Sequence, residues 1–321
     1  MSVDTSSSLT YNSKCILLIG VSDLNVIEIN HLTKDYGQNK GVFDVSLEIP
    51  KGEVYGYLGP NGAGKSTTMR HLMGFSKPDS GLVQILGMDC WQDQKEIQKR
   101  IGYLPGEISF PDEMTGLAYL KMIAKMRKMS DFSYAEELLA YFEINPDTGI
   151  KRMSKGMKQK IGIVAAFMHK PELLLLDEPT SGLDPLMQSK FVDLMEEVKA
   201  EGRTIILSSH IFEEVEKTCD RIGMIRQGKL IKEVSVNELR HSQLKTFKVE
   251  FKESSALEDM KKNFPQATFR DKQNQMILSI NDEEVNQMIR ELAKVDLRFI
   301  KEEKHTLEEY FMKFYGGNDH V

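Results

Sequence analysis

The chain has 321 residues, a formal net charge of −6 and 40% hydrophobic residues, which suits one large domain with a buried core and a second, smaller one. The acidic balance argues against nucleic-acid binding, because proteins that bind nucleic acids usually carry a clustered basic excess. Cys15, Cys90 and Cys219 are far apart in the sequence, so we expect free thiols in a reducing compartment, with no disulfide framework and no metal cluster.

Residues 1–24 are interpreted as a poorly ordered leader outside the main domain. Their apolar run, residues 15–21, is shorter than the ~20 residues of a membrane-spanning helix, and no small-residue cleavage site follows it. Regular alternation of apolar and polar residues begins at Val26. We therefore expect a chain that is cytoplasmic and soluble by itself.

Short apolar runs alternate with helical patterns over residues 25–238, which predicts an α/β domain. The strand candidates in chain order are Val26–Ile29, Val54–Leu58, Leu173–Leu176, Thr204–Ser208 and Ile222–Ile225. The third and fourth are almost uniformly apolar, as is typical of strands buried on both faces of a central parallel sheet. Between the second and third strand candidates, about residues 108–168 indicate an inserted helical subdomain, in which Ser133 and Glu136 have the spacing of a capping box.

Residues 245–321 follow a different pattern, which predicts a small α+β domain. Residues 247–251 and 276–280 alternate apolar and polar side chains, as half-exposed strands do. Apolar side chains in Val285–Leu292 recur at i, i+3, i+4 and i+7, which predicts one face of a helix. A second capping pattern predicts a final helix starting at Thr306, and we find no catalytic constellation in this domain.

The segment Gly59–Ser66 follows the strand candidate Val54–Leu58 and matches the phosphate-loop pattern GxxxxGK[ST]. Its glycines allow backbone N–H groups to converge on phosphate oxygens, and the next helix adds the positive end of its dipole. Lys65 would neutralise the β- and γ-phosphates of a nucleotide, and the Ser66 hydroxyl would ligate Mg²⁺. The nucleotide-binding residues predicted here are Gly59, Pro60, Asn61, Gly62, Ala63, Gly64, Lys65, Ser66 and Thr67.

Two carboxylates, Asp177 and Glu178, end the apolar run Leu173–Leu176, and open α/β sheets bind their ligands at this end of a strand. Asp177 suits coordination of Mg²⁺ through water. Glu178 suits a general base that polarises an attacking water. Together with the phosphate loop, the pair indicates nucleotide hydrolysis.

Ser154 directly precedes the apolar helical pattern of residues 161–167. Its hydroxyl and the N–H groups behind it would form a second anion site at a helix N-terminus. Taken alone, the same pattern is more typical of an ordinary helix cap.

The phosphate loop, the Asp-Glu strand end and the second helix start have an order and spacing that resembles the ATP-binding cassette (ABC) transporter ATPases. The likeness covers about residues 26–235 and implies a P-loop NTPase fold of the ABC ATPase type that uses ATP and Mg²⁺. It also implies that Ser154, with Gly156, completes the ATP site of the opposite protomer. Asp184, in the segment Ser181–Asp184, resembles the family's residue at the dimer interface.

Two further residues take their roles from the same resemblance. His210 is similar to the family's histidine that contacts the γ-phosphate, so the implied catalytic set is Glu178, His210 and Lys65. Tyr36 matches the aromatic residue on which the adenine stacks.

The chain departs from the family pattern at two places. The common signature LSGGQ is MSKGM here, with Lys155 in place of a glycine and Met157 in place of the glutamine. The family usually carries another glutamine that touches Mg²⁺ and couples to the membrane subunit, and this chain has Gly106 followed by Glu107. We expect Glu107 to take over part of that role as a metal ligand.

The variant signature and the C-terminal pattern of residues 307–311 are similar to exporter ATPases of the ABC-2 type. We therefore expect an ATPase subunit, peripheral on the inner face of the cell membrane, that forms a homodimer around two ATP molecules. It would drive a separate membrane permease in the export of a drug, peptide antibiotic or similar hydrophobic compound, without a nucleic-acid partner. The alternatives are an importer ATPase and a soluble, non-transport ABC ATPase. Importers more often keep the glutamine, and the soluble members usually have two cassettes or a long inserted coiled coil.

Overall fold

A computed structural model describes residues 25–238, 245–303 and 311. The strands are β1 (Asn25–Asp35), β2 (Gly41–Pro50), β3 (Val54–Leu58), β4 (Ser80–Ile85), β5 (Met88–Asp89), β6 (Ile101–Leu104), β7 (Leu173–Asp177), β8 (Thr204–Ser209), β9 (Arg221–Arg226), β10 (Lys229–Ser235), β11 (Lys245–Phe251), β12 (Thr268–Arg270), β13 (Gln275–Ile280) and β14 (Leu297–Glu303). The α-helices are α1 (Lys65–Leu72), α2 (Gln94–Arg100), α3 (Gly116–Met126), α4 (Ser133–Tyr141), α5 (Lys155–Phe167), α6 (Pro185–Ala200), α7 (Phe212–Thr218), α8 (Ser254–Asn263) and α9 (Val285–Leu292). The predicted leader and, apart from Phe311, the predicted helix starting at Thr306 lie outside the described residues.

The central sheet has six strands in the order β10-β9-β3-β8-β7-β6. Its strands are parallel except for β10, which pairs with β9 in the antiparallel sense. Every residue of β7 and β8 is buried, which confirms the interpretation of their apolar runs. Since β3, β7 and β8 are neighbours and run in the same direction, the segments that follow them meet at one edge of the sheet.

Alternate side chains of the central strands enter two different cores. Leu174 and Leu176 of β7 pack with the helices α3 to α6, whereas Leu173 and Leu175 pack with α1 and the strands of a second sheet. That second sheet is antiparallel, in the order β2-β1-β4-β5, and its strand β1 extends the predicted Val26–Ile29 to eleven residues. The central sheet is therefore covered on both faces, as its uniformly apolar strands require.

The helices between β6 and β7 are tied to the sheet at its edge strand. Arg127, directly after α3, donates to the carbonyl oxygens of Gln98 at 3.2 Å and Ile101 at 3.1 Å. His169, which follows α5, places Nε2 3.1 Å from the same Ile101 oxygen. Burial, with Arg127 nearby, lowers the pKa of His169 to about 4, so the ring is neutral at pH 7 and Nε2 donates this bond.

The predicted capping box at Ser133 is wrong. Ser133 is the first residue of α4, and Asp131 accepts hydrogen bonds from its amide at 2.9 Å and from its hydroxyl at 3.0 Å. Asp131 therefore accepts from one of the amides at the helix start that have no partner within the helix. The Glu136 amide donates to the Phe132 carbonyl oxygen, so it does not donate to the Ser133 hydroxyl as a capping box requires.

The third sheet is antiparallel, in the order β12-β13-β11-β14, and it buries a separate core with α8 and α9. Strands β11 and β13 correspond to the predicted strands at residues 247–251 and 276–280, and α9 to the predicted helix. Cys90 and Cys219 are buried free thiols, and Cys15 lies outside the described residues. None of the helices in the described part of the chain is long and apolar enough to cross a bilayer.

Candidate functional site

The phosphate loop connects β3 to α1 at the carboxyl edge of the central sheet. Gly62 and Gly64 have positive φ angles of 79° and 112°, a backbone conformation that favours glycine. Gly64 stands at the N-cap position of α1 and supplies no side-chain acceptor, so the first N–H groups of the helix have no cap there. The loop and helix start therefore offer backbone donors to an anion.

The Lys65 ammonium lies beneath this loop and is only 6% exposed. It donates to the carbonyl oxygens of Gly59 at 2.7 Å and Pro60 at 3.3 Å, and it pairs with Glu178 Oε1 at 3.2 Å. A buried ammonium is stable only when it is paired, and here the loop backbone and one carboxylate share that task.

Glu178 joins the phosphate loop to the end of β8. Its second carboxylate oxygen, Oε2, lies 2.5 Å from Nδ1 of His210, whose side chain is half exposed. The Glu178 backbone has a positive φ of 52°, which is uncommon for a residue with a side chain. Its amide donates to the Ser208 carbonyl oxygen at 3.0 Å, which holds this conformation in place. The structure thus brings together all three predicted catalytic residues.

Gln159 on α5, which is not among the predicted site residues, supports the same turn. Its side-chain amide is 3% exposed and donates to the carbonyl oxygens of Glu178 at 3.2 Å and Pro179 at 2.8 Å. Gln159 lies four residues before the buried Ile163, so it falls on the apolar face of α5. The sequence does contain one signal for this contact, namely a glutamine at a position of the helical pattern where an apolar side chain is expected.

Asp177 ends β7, is 3% exposed and accepts a hydrogen bond from the Ser208 hydroxyl. Burial and the Asp177 charge raise the pKa of Tyr103 to about 12. The loop after β6 also approaches this carboxylate, since a Cβ added at Gly106 would lie 3.3 Å from the Asp177 carboxyl carbon. Glu107 is the next residue and its side chain is exposed.

The donor set fits a Mg²⁺ ion that is bound with its nucleotide. Ser66 is exposed in the first turn of α1, and Asp177 supplies a carboxylate at the strand end. The described residues contain no cluster of three or more His, Cys, Asp or Glu side chains that could hold a metal ion by themselves. Mg²⁺ characteristically uses one or two protein oxygens together with phosphate oxygens and water, so hydroxyl and carboxylate ligands suit it.

Ser154 is the N-cap of α5, and its hydroxyl oxygen accepts a hydrogen bond from the Met157 amide at 3.2 Å. Both Ser154 and Lys155 are exposed. The Lys155 ammonium donates a hydrogen bond to the Ser181 hydroxyl at 2.8 Å, which no local sequence pattern indicates. At Gly156 a Cβ would lie 2.5 Å from the Gly182 carbonyl oxygen, so only glycine allows this close approach.

Asp184 and Tyr36 lie at two other exposed places. Asp184 is the N-cap of α6, where its Oδ1 accepts from the Met187 amide at 3.0 Å. Tyr36 follows β1 with 52% of its surface exposed, its hydroxyl 3.4 Å from the Ser76 hydroxyl and its ring 5.9 Å from the Lys34 ammonium. The exposed part of the ring offers an aromatic face on which a planar group can stack.

Known proteins resemble this chain over most of its length. A protein-family model described as ABC transporter matches residues 42–181. The chain is 33% identical over 298 residues to the bacitracin transport ATP-binding protein BcrA of Enterococcus faecalis, and the match covers 91% of this chain and 97% of the relative. It is 37% identical over 211 residues to the linearmycin resistance ATP-binding protein LnrL of Bacillus subtilis, with 64% of this chain and 68% of the relative covered.

Two solved structures have a similar fold. The structure of an ATP-binding subunit of an ABC transporter matches with a TM-score of 0.62 and 31% identity, over 68% of this chain and 92% of that one. The dimeric structure of MJ0796, a bacterial ABC transporter cassette, matches with a TM-score of 0.60 and 23% identity, over 65% of this chain and 98% of that one.

Proposed function

The chain belongs to the ATP-binding subunits of ABC transporters and is an ATPase, and on that premise we propose that it drives a separate membrane permease in the export of a drug, peptide antibiotic or similar hydrophobic compound. The names of two relatives, a bacitracin transport protein and a linearmycin resistance protein, support an antibiotic as cargo. The chain would sit on the inner face of the cell membrane, held there by the permease.

We assign hydrolysis to the Lys65–Glu178–His210 group. When ATP enters the phosphate loop, the Lys65 ammonium exchanges its contact with Glu178 for the phosphate oxygens, because the phosphates carry more negative charge. The freed carboxylate oxygen can then accept a proton from an attacking water, while His210 holds the other oxygen from 2.5 Å. Ser66 and Asp177 would hold Mg²⁺, which supplies positive charge to the phosphates.

The second half of the site would come from another copy of the chain. The observation that carries this proposal is the exposure of Ser154 and of the α5 N-terminus, whereas Lys65 and Glu178 are already enclosed within one chain. The backbone donors at the start of α5 are suited to an anion that lies outside the protomer. Two chains arranged head to tail would each present Ser154 and Gly156 to the ATP held by the other.

This dimer can be tested with Glu178→Gln, which keeps the side-chain shape but removes the base. At saturating Mg-ATP this chain should sediment as a dimer, because bound ATP is not consumed. The matched control is the double variant Lys65→Ala with Glu178→Gln, which should stay monomeric because its phosphate loop binds ATP poorly. A strict monomer in both cases would contradict the proposed dimer.

The transport function has its own test in the native host. We expect an integral membrane protein to co-purify with the chain, and we expect deletion of the gene to increase sensitivity to a peptide antibiotic. The wild-type chain should restore resistance and Glu178→Gln should not. Recovery of ribosomes without a membrane protein would overturn the transporter assignment.

A further inference from the structure

Phe311 lies in the core of the ATPase part of the chain, far in sequence from the residues around it. Its side chain is 0% exposed and belongs to the apolar cluster that contains Val215 and Cys219. Its ring packs against the ring of Phe212, with the centroids 5.3 Å apart and an angle of 44° between the planes. The contact joins the C-terminal region to the first residue of α7.

Helix α7 is directly connected to the catalytic histidine, since only Ile211 separates His210 from Phe212. The two sides of this short turn are tied together by a buried side chain. Glu214 Oε2 accepts a hydrogen bond from the Ser209 hydroxyl at 2.6 Å, and the Ser209 oxygen accepts one from the Ile211 amide at 3.0 Å. His210 is therefore placed between the end of β8 and the start of α7.

A displacement of α7 would consequently change the position of the His210 ring. Nδ1 of that ring lies 2.5 Å from Glu178 Oε2, so a small shift at the helix start alters the orientation of the general base. The side chain of Phe212 is only partly buried and is covered on one side by Phe311. Removal of the Phe311 ring would leave Phe212 free to move, because interiors are close-packed and a lost ring is only partly filled.

We propose that Phe311 is a positioning residue for ATP hydrolysis, which acts through Phe212 on the approach of His210 to Glu178. The inference rests on the proposed roles of Glu178 and His210. Phe311 would thus influence the rate of hydrolysis, although it belongs to neither the phosphate loop nor the group of Lys65, Glu178 and His210. A misplacement of about 1 Å at a reacting group costs about 100-fold in rate, so a single distant ring can have a large effect.

The test compares variants of the full chain by steady-state ATP hydrolysis, with kcat and KM measured separately. For Phe311→Ala we expect kcat to fall about 10- to 100-fold while KM for ATP changes less than about threefold, because binding in the phosphate loop is untouched. Phe311→Leu, which keeps most of the apolar volume, should recover most of the rate. Phe299→Ala, a partly exposed phenylalanine of β14, is the matched control and should behave as wild type.

A double-variant cycle tests whether Phe311 acts on hydrolysis through Phe212. Phe212→Ala and Phe311→Ala should each lower kcat, and the double variant should be no slower than the slower single variant, because both remove the same contact. Wild-type kcat in a folded Phe311→Ala chain, additive losses in the cycle, or an equal loss in Phe299→Ala would overturn the inference.

Glu178→Gln is measured alongside as a check on the proposed site. An inactive Glu178→Gln chain with a fully active Phe311→Ala chain would refute the positioning inference alone. A fully active Glu178→Gln chain would instead refute the assignment of the catalytic base on which the inference rests.

Discussion

The polar residues of the site form two groups that differ in how completely one chain surrounds them. The inner group, Lys65, Glu178 and His210, is linked by contacts of 3.2 and 2.5 Å and lies against the phosphate loop. The outer group, Ser154 and Asp184, caps two helices at exposed positions. In the function proposed above, the inner group acts on the bound nucleotide, and the outer group offers helix N-termini to the nucleotide held by a second chain.

The difference also bears on how the site responds to ATP. The ammonium of Lys65 is buried and paired with Glu178, so the proposed role of Glu178 as a base requires this pair to separate before hydrolysis. A buried charge without a partner is costly, which means that the phosphates have to replace the carboxylate as Lys65 leaves it. The exposed caps of the outer group can approach a ligand without breaking a buried ion pair.

The largest effect is expected at the inner group. Glu178→Gln should lower kcat for ATP hydrolysis by about 1,000-fold, because the amide cannot take a proton from water. ATP binding should be retained, as measured with a fluorescent ATP analogue, and phosphate release reports the rate. A rate within about tenfold of wild type would show that another group is the base.

Gly156, two residues after Ser154 of the outer group, occupies a position that only glycine fits. Gly156→Ala would bring a Cβ to 2.5 Å from the Gly182 carbonyl oxygen, so the start of α5 and the turn before α6 must separate. We expect a loss of about 2 to 3 kcal/mol in the free energy of unfolding, measured by urea denaturation, with lower hydrolysis. Gly149→Ala is the matched control, since nothing lies within 4 Å of its added Cβ and its φ is −62°. Equal stability of the two variants would contradict the close approach.

Acid should weaken the attachment of α5, the helix that carries Ser154. The pKa of His169 is lowered to about 4 in the folded chain, from 6.5 as its ordinary value. Above pH 6.5 the His169 imidazole is neutral in both the folded and the unfolded chain, so it adds no pH dependence to the free energy of unfolding. Below 6.5 the unfolded chain binds the proton first, so stability falls as the pH drops toward 4, by about 2 kcal/mol after allowance for partial solvent access.

The pH effect is measured by urea denaturation between pH 7 and pH 4.5. His169→Gln should flatten this dependence, because the variant has no imidazole to take up the proton. The same slope in wild type and His169→Gln would assign the acid sensitivity to other groups.

The smallest effect is expected at the bond between Lys155 and Ser181, which is exposed. Lys155→Ala should reduce the free energy of unfolding by less than about 1 kcal/mol, because water replaces an exposed hydrogen bond at little cost. Ser181→Ala should have the same small effect, and the double variant should be no worse than either. Additive losses would show that the two side chains act independently.

The features that were predictable from the sequence are those whose chemistry is local. The phosphate loop carries its pattern within eight consecutive residues, Gly59–Ser66, and Asp177 and Glu178 follow an unmistakably apolar strand. The fold class follows from the same alternation of strands and helices, and the ABC family assignment agrees with it. Periodicity and spacing are properties of neighbouring residues, so a single sequence contains them.

Contacts between distant segments were not predictable in this way. The bond of Gln159 to the turn after β7, and the packing of Phe311 on Phe212, join residues that no local pattern relates. At α4 the local pattern itself was ambiguous, because Asp131 and Ser133 are both short polar residues that can satisfy a helix start. The backbone conformation decides between them, and it depends on packing elsewhere.

Complementation between two inactive chains tests the composite site most directly. Lys65→Ala disables the phosphate loop, and Ser154→Glu places a negative charge at the α5 N-terminus, where it suits the helix but repels phosphate. If each site combines the loop of one chain with Ser154 of the other, a mixed dimer contains one site with both parts intact. Mixing the two inactive proteins should then restore ATP hydrolysis. A mixture no more active than its separate components would contradict a site shared between two chains.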